Sequence, residues 1–147
     1  MASVVYNIAK TNWMKGTLDM DAASNIRARL CMVTTTADTE IDEDTWGGLT
    51  TDGESDDGSY AAQTLTSLSV VTDDPNDQAE FQSATPISFT LAGDAASDYQ
   101  GMLLVDYVDG GDGNIPIAFI EFNGQPIAKE VTKIDVTMPT DGWVKIT

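Results

Sequence analysis

The 147-residue chain predicts an all-β fold: a two-sheet antiparallel β-sandwich, jelly-roll or Ig-like, with a short N-terminal helix and a long acidic loop. Three observations predict it. Apolar and polar residues alternate with a period of two through most of residues 26 to 147, the pattern of half-buried strands. Clusters of Asp, Asn, Gly and Pro separate these runs at the spacing of strand-to-strand turns. Helical periodicity is confined to one stretch near the start. A single domain over 1–147 is expected, with 1–16 as its helical segment and 36–63 as its acidic loop.

Residues 3 to 15 carry that helical signal, because Val5, Ile8, Ala9 and Trp13 recur at helical spacing. Ser3 is expected to cap the start and Gly16 the end, with Lys10 and Lys15 toward the end where the helix dipole favours cations. Ile26, Ala28, Leu30 and Met32 then alternate with Arg27, Arg29 and Cys31 as a half-buried strand. Thr64 to Thr72 reads as a strand with a bulge, since Leu65 and Leu68 are out of phase. Ala79, Phe81 and Ser83 alternate with Glu80 and Gln82, and Ile87, Phe89 and Leu91 with Ser88 and Thr90. Met102 to Val108 and Ile115 to Phe122 are apolar on both faces and belong at the centre of a sheet. Thr132, Ile134, Val136 and Met138 form a further alternating run, and Trp143 to Thr147 closes the chain. Turn chemistry marks Asp73 to Asp77, Asp109 to Asn114, Asn123-Gly124 and Pro139 to Gly142.

The formal net charge is −17. Of the 24 acidic residues, 19 lie between Arg29 and Lys129, an interval without Lys or Arg. Such a chain repels phosphate backbones and anionic lipid, so neither nucleic acid nor a membrane surface is an expected partner. The acidity favours solubility and complements a basic partner surface. Nine acids fall within residues 36 to 63, which have almost no apolar rhythm and read as a surface loop. The cations near the two ends are expected to gather at one pole of the domain. No run reaches the ~18 apolar residues of a membrane span. The start lacks the features of a secretion signal, so a cytosolic, unprocessed product is expected.

Catalytic chemistry has few routes. The chain has no His, which removes Ser-His-Asp triads, Cys-His dyads and histidine-ligated metals. Cys31 is expected to be a buried thiol that behaves as a small hydrophobe. The Gly-rich stretch 109–114 lacks the Lys and helix of a phosphate loop. Asp106 and Glu121, the acids inside apolar strands, are the one carboxylate pair worth weighing for glycoside hydrolysis. Asp109, Asp112 and Asn114, or Asp52, Glu54, Asp56 and Asp57, offer oxygen ligands for calcium without the full spacing of a helical calcium loop. The expectation is no enzyme, no catalytic residues, no cofactor and no metal. Trp46 sits among Glu43, Asp44, Gly47 and Gly48, poor company for a core, and is taken as an exposed anchor for a partner.

The order of features resembles a known class. A Val5-Tyr6-Asn7-Ile8-Ala9-Lys10 helix precedes the Ile26 to Val33 strand and an acidic loop. Gly58-Ser59-Tyr60 and Thr64-Leu65 lead into Asp74-Pro75-Asn76-Asp77-Gln78-Ala79-Glu80-Phe81, and the chain ends in Asp141-Gly142-Trp143-Val144-Lys145-Ile146-Thr147. This resembles small virion proteins of tailed bacteriophages, particularly head decoration (cement) proteins of β-sandwich type. The resemblance implies a viral structural protein, made in the host cytoplasm and carried on the capsid exterior. It implies a homotrimer at local threefold positions that clamps neighbouring copies of the major capsid protein against internal DNA pressure. The expected partner-binding residues are Val4, Val5, Tyr6, Ile8 and Trp13 of the N-terminal stripe, the cations Arg27 and Arg29, and Trp46. Other readings of the same residues are a neck, tail or fibre-base subunit, or a calcium-dependent carbohydrate-binding β-sandwich module.

Overall fold

The computed structural model describes residues 3–21, 25–76, 78–108, 110 and 112–146. It is mostly antiparallel β-structure with one short α-helix, consistent with an all-β fold. The strands are β1 (Ser3–Val5), β2 (Ile26–Met32), β3 (Gln63–Thr64), β4 (Ser69–Asp73), β5 (Gln78–Gln82), β6 (Ile87–Thr90), β7 (Tyr99–Asp106), β8 (Ile115–Glu121), β9 (Lys133–Val136) and β10 (Val144–Ile146). They form a five-stranded sheet in the order β1-β8-β7-β2-β3, a three-stranded sheet β10-β5-β4 and a two-stranded sheet β6-β9.

The strands expected to be central are central. β7 lies between β8 and β2, and β8 between β1 and β7. Met102 to Val105 and Ile117 to Ile120 are buried on both faces, as near-continuous apolar runs require. Gly101 sits opposite Glu121 in the β7–β8 register. A Cβ there would come within 2.5 Å of the Ile120 carbonyl oxygen and 2.6 Å of the Phe119 ring, so only glycine fits. Cys31 is fully buried on β2, with its thiol pKa raised chiefly by burial. Residues of the five-stranded sheet share one buried cluster with Phe81, Phe89, Ile134, Val136, Trp143 and Val144 of the shorter sheets.

Three expectations need correction. The helix, α1, spans Asn7–Lys15, not 3–15, and Tyr6, not Ser3, holds the cap position without a side-chain bond. The reason is pairing: Ser3, Val4 and Val5 lie opposite Ile120, Phe119 and Ala118, so strand bonds to β8 satisfy their backbone. Gly16 does end α1, at φ 67°, with its N–H donating to the Trp13 carbonyl. The run from Thr64 to Thr72 is not one bulged strand. Ser67, at φ 53°, breaks it, so that β3 pairs with β2 while β4 pairs with β5. Glu80 does not face solvent; it is buried on β5 and accepts from Gln78 Nε2 at 2.8 Å and Gln82 Nε2 at 3.0 Å.

The acid-rich stretch between β2 and β3 is built from turns, a 3-10 turn at Trp46–Gly48 and a bridge of Glu54 to Cys31. Its backbone is tied to the sheet at Met32 N–H to Gly53 O, 2.7 Å, and Ser55 N–H to Leu30 O, 2.9 Å. Asp77, Asp109, Gly111 and Thr147, named above in turns and the last strand, lie outside the described residues.

Candidate functional site

The N-terminal segment has two faces. Tyr6 and Ala9 are fully buried, and the Tyr6 hydroxyl donates to the Ala37 carbonyl at 2.5 Å. Burial, reinforced by nearby anionic groups, holds the Tyr6 phenol above its ordinary pKa. This corrects Tyr6 as a docking residue, since its side chain is spent on the core. The other face is open. Met14 is 84% exposed, while Val4, Val5, Ile8 and Trp13 are half-buried. Trp13 forms a wall shared by two shallow grooves. One, of about 340 Å³, runs over Leu18, Met20, Val70, Phe81 and Val144, with Asp19 and Asp21 beside it. The second, of about 300 Å³, is lined by Val5, Lys10, Trp13, Met14 and Lys145. Val5 and Trp13 are therefore brought to one groove, although Val5 reaches it from β1 and not from the helix, and Val4 and Ile8 line neither groove.

The expected cations and Trp46 go elsewhere. The Arg27 guanidinium lies 3.4 Å from the centre of the Tyr107 ring. Arg29 Nη1 meets Glu54 Oε2 at 2.6 Å, and its guanidinium sits 5.0 Å from the Trp46 ring centre. Trp46 is 2% exposed, which corrects its reading as an exposed anchor. Its backbone N–H donates to the Asn114 carbonyl at 2.8 Å, which ties this turn to the start of β8 and lets the indole sit in the core. Arg29 and Trp46 thus join an internal cluster with Glu54 and Tyr60, whose hydroxyl donates to Glu54 Oε1 at 2.7 Å. Lys10 and Lys145 line one groove, and Arg27 and Arg29 lie along β2.

Several carboxylates of the acid-rich stretch are committed to internal donors. Asp57 accepts from the backbone N–H of Ser59, Ala92, Gly93 and Asp94 at 2.7 to 3.2 Å. Burial works against its ionisation, but these donors outweigh it and bring the pKa down to about 2. Asp56 accepts from the Ala96 N–H at 2.9 Å. Glu40 accepts from the Thr36 and Thr50 hydroxyls and the Thr50 N–H, which together lower its pKa. Among the described residues, no three potential ligand side chains converge on a metal-sized site. Asp109, one of the acids weighed for calcium, lies outside the described residues.

Asp106 and Glu121 stand at opposite ends of the β7–β8 ladder. Asp106 is opposite Ile115 and Glu121 is opposite Gly101. Five strand positions separate them, about 17 Å at the rise of a strand, beyond the ~5 to 9.5 Å that glycosidase carboxyl pairs require. Burial raises the Asp106 pKa, but this pair does not act on one bond.

Sequence reasoning missed Met14, took Lys10 only as a helix-end cation, and took Asp57 only as a possible calcium ligand. A signal existed for Met14: on α1 its neighbours one turn back are Lys10 and Thr11, so no apolar stripe claims it. Asp57 also had one, since Asp57-Gly58-Ser59 has Asx-turn chemistry. No protein-family model, curated protein or solved structure matches this chain.

Proposed function

We propose that this is a non-enzymatic structural protein of a bacteriophage virion, a decoration protein that binds the outer surface of the capsid and stabilises it. The observation that carries the reading is the uncovered flank of α1, where an 84%-exposed Met14 adjoins two apolar grooves. A soluble chain at net −17 gains nothing from such a flank unless something covers it. The resemblance to head decoration proteins supplies the partner, the major capsid protein, and a trimer at local threefold positions.

The architecture fits that role. We read the five-stranded and three-stranded sheets as the two layers of a sandwich, because their inward residues share one buried cluster. The acid-rich stretch is folded against β2 and reaches the start of α1, where the Asn7 N–H donates to the Ile41 carbonyl at 3.1 Å; its exposed acids face solvent and keep particles apart by charge repulsion. No helix among the described residues is long and apolar enough to cross a membrane.

Electron microscopy of the particle with which the protein co-purifies tests the reading. Density for three copies around local threefold axes of the shell, with α1 against the capsid, is the expected result. Density in the neck, tail or fibre base would overturn it. Because apolar burial should dominate, raising salt to physiological strength, where the screening length is about 8 Å, should weaken binding only modestly.

A further inference from the structure

We propose that the surface around Trp13 takes a dipolar partner segment: two apolar side chains seated on either side of the indole, a Lys or Arg at the Asp19–Asp21 end, and an Asp or Glu at the Lys10 end. This rests on the docking face proposed above and adds the chemistry of what covers it. The two grooves share the Trp13 wall, and each is at the lower end of the ~300 to 1,000 Å³ range of ligand pockets. Their floors are apolar, with Val70, Phe81 and Val144 in one and Val5 and Met14 in the other.

Their charges are opposite. Asp19 Oδ1 accepts from the Asp21 N–H at 3.3 Å. The two carboxyl groups also interact, and the bond to Asp19 with its like charge raises the Asp21 pKa. A cation placed there relieves that repulsion. At the other groove Lys145 is already held by Asp141 Oδ2 at 2.8 Å. Lys10 contacts Asn7 Oδ1 at 3.5 Å and makes no ion pair among the described residues, so it is the amine open to an incoming carboxylate.

The test uses the full chain and two small probes, hexylammonium and hexanoate, followed by NMR. The Trp13 indole N–H reports both grooves, the Val70 and Val144 methyls the first, and the Met14 methyl the second. Hexylammonium should shift the Val70 and Val144 signals and hexanoate the Met14 signal, both moving Trp13. Asp21→Asn should weaken hexylammonium about threefold and leave hexanoate unchanged, and Lys10→Gln should do the reverse. Equal binding of both probes at one groove, or an unmoved Trp13 indole, would overturn the proposal. So would probe-free, concentration-dependent shifts of the same signals, which would make a second copy the occupant. If the probes discriminate but the protein is found on no capsid, the virion reading falls and the dipolar surface stands.

Discussion

The acid-rich stretch and the N-terminal segment invert what their compositions suggest. Residues 36 to 63 hold nine acids, yet Trp46, Asp57 and Ser55 there are buried, and Glu40, Asp56 and Asp57 accept bonds from the protein's own backbone. The N-terminal segment carries an apolar stripe, yet its Met14 is the most exposed large hydrophobic residue described. The difference teaches that donor supply, not charge density, decides where an acid-rich stretch goes. Where N–H groups converge, a carboxylate is an internal fastener; where an apolar flank lacks a covering layer, as at Met14, it stays exposed.

Deletion of residues 1–15 should break the comparison most severely. It removes β1 from the five-stranded sheet and Tyr6 and Ala9 from the core. The truncated chain should lose its cooperative urea transition altogether, because a single large aromatic truncation in a core already costs about 4 kcal/mol. A folded truncated domain would show that the segment belongs wholly to the docking face. Next in size is Trp46→Ala, expected to cost about 4 kcal/mol by urea denaturation, as for other buried aromatics. A cost near zero would return Trp46 to the surface.

Asp57→Asn sharpens the comparison through pH. The folded Asp57 pKa is about 2, below the unfolded carboxyl value, so its stabilisation is complete above the unfolded value and is lost as pH falls through about 2. The wild type should therefore lose stability between pH 4 and 2 more steeply than Asp57→Asn. At neutral pH the variant should have the lower urea midpoint. Parallel pH curves would mean that the four N–H donors do not select the carboxylate.

Much of the architecture was legible. Runs apolar on both faces located β7 and β8, and Gly16 marked the end of α1. What escaped depended on contacts distant in sequence. Val4 and Val5 carry a helix-compatible spacing, but β8 lies alongside and their β-branched side chains take the strand. Glu80 follows a surface alternation, but Gln78 and Gln82 supply amide donors that allow its burial. The candidate site was half visible: the stripe of Val5, Ile8 and Trp13 marked the segment that carries the grooves, whereas Arg27, Arg29 and Trp46 have their contacts inside the fold. No local pattern reports that Asn114 draws in the backbone at Trp46 or that Glu54 awaits Arg29.

The central claim is that the α1 flank, not the acid-rich stretch, meets the partner. Co-sedimentation with capsids from the co-purifying particle tests it, comparing Met14→Asp with Asp44→Asn, both at exposed positions. Each variant should keep its stability to within about 0.5 kcal/mol, as surface substitutions do. The account expects Met14→Asp to lower binding at least about tenfold, a cost of ~1.4 kcal/mol, while Asp44→Asn binds like the wild type. Wild-type binding by Met14→Asp together with weakened binding by Asp44→Asn would contradict it.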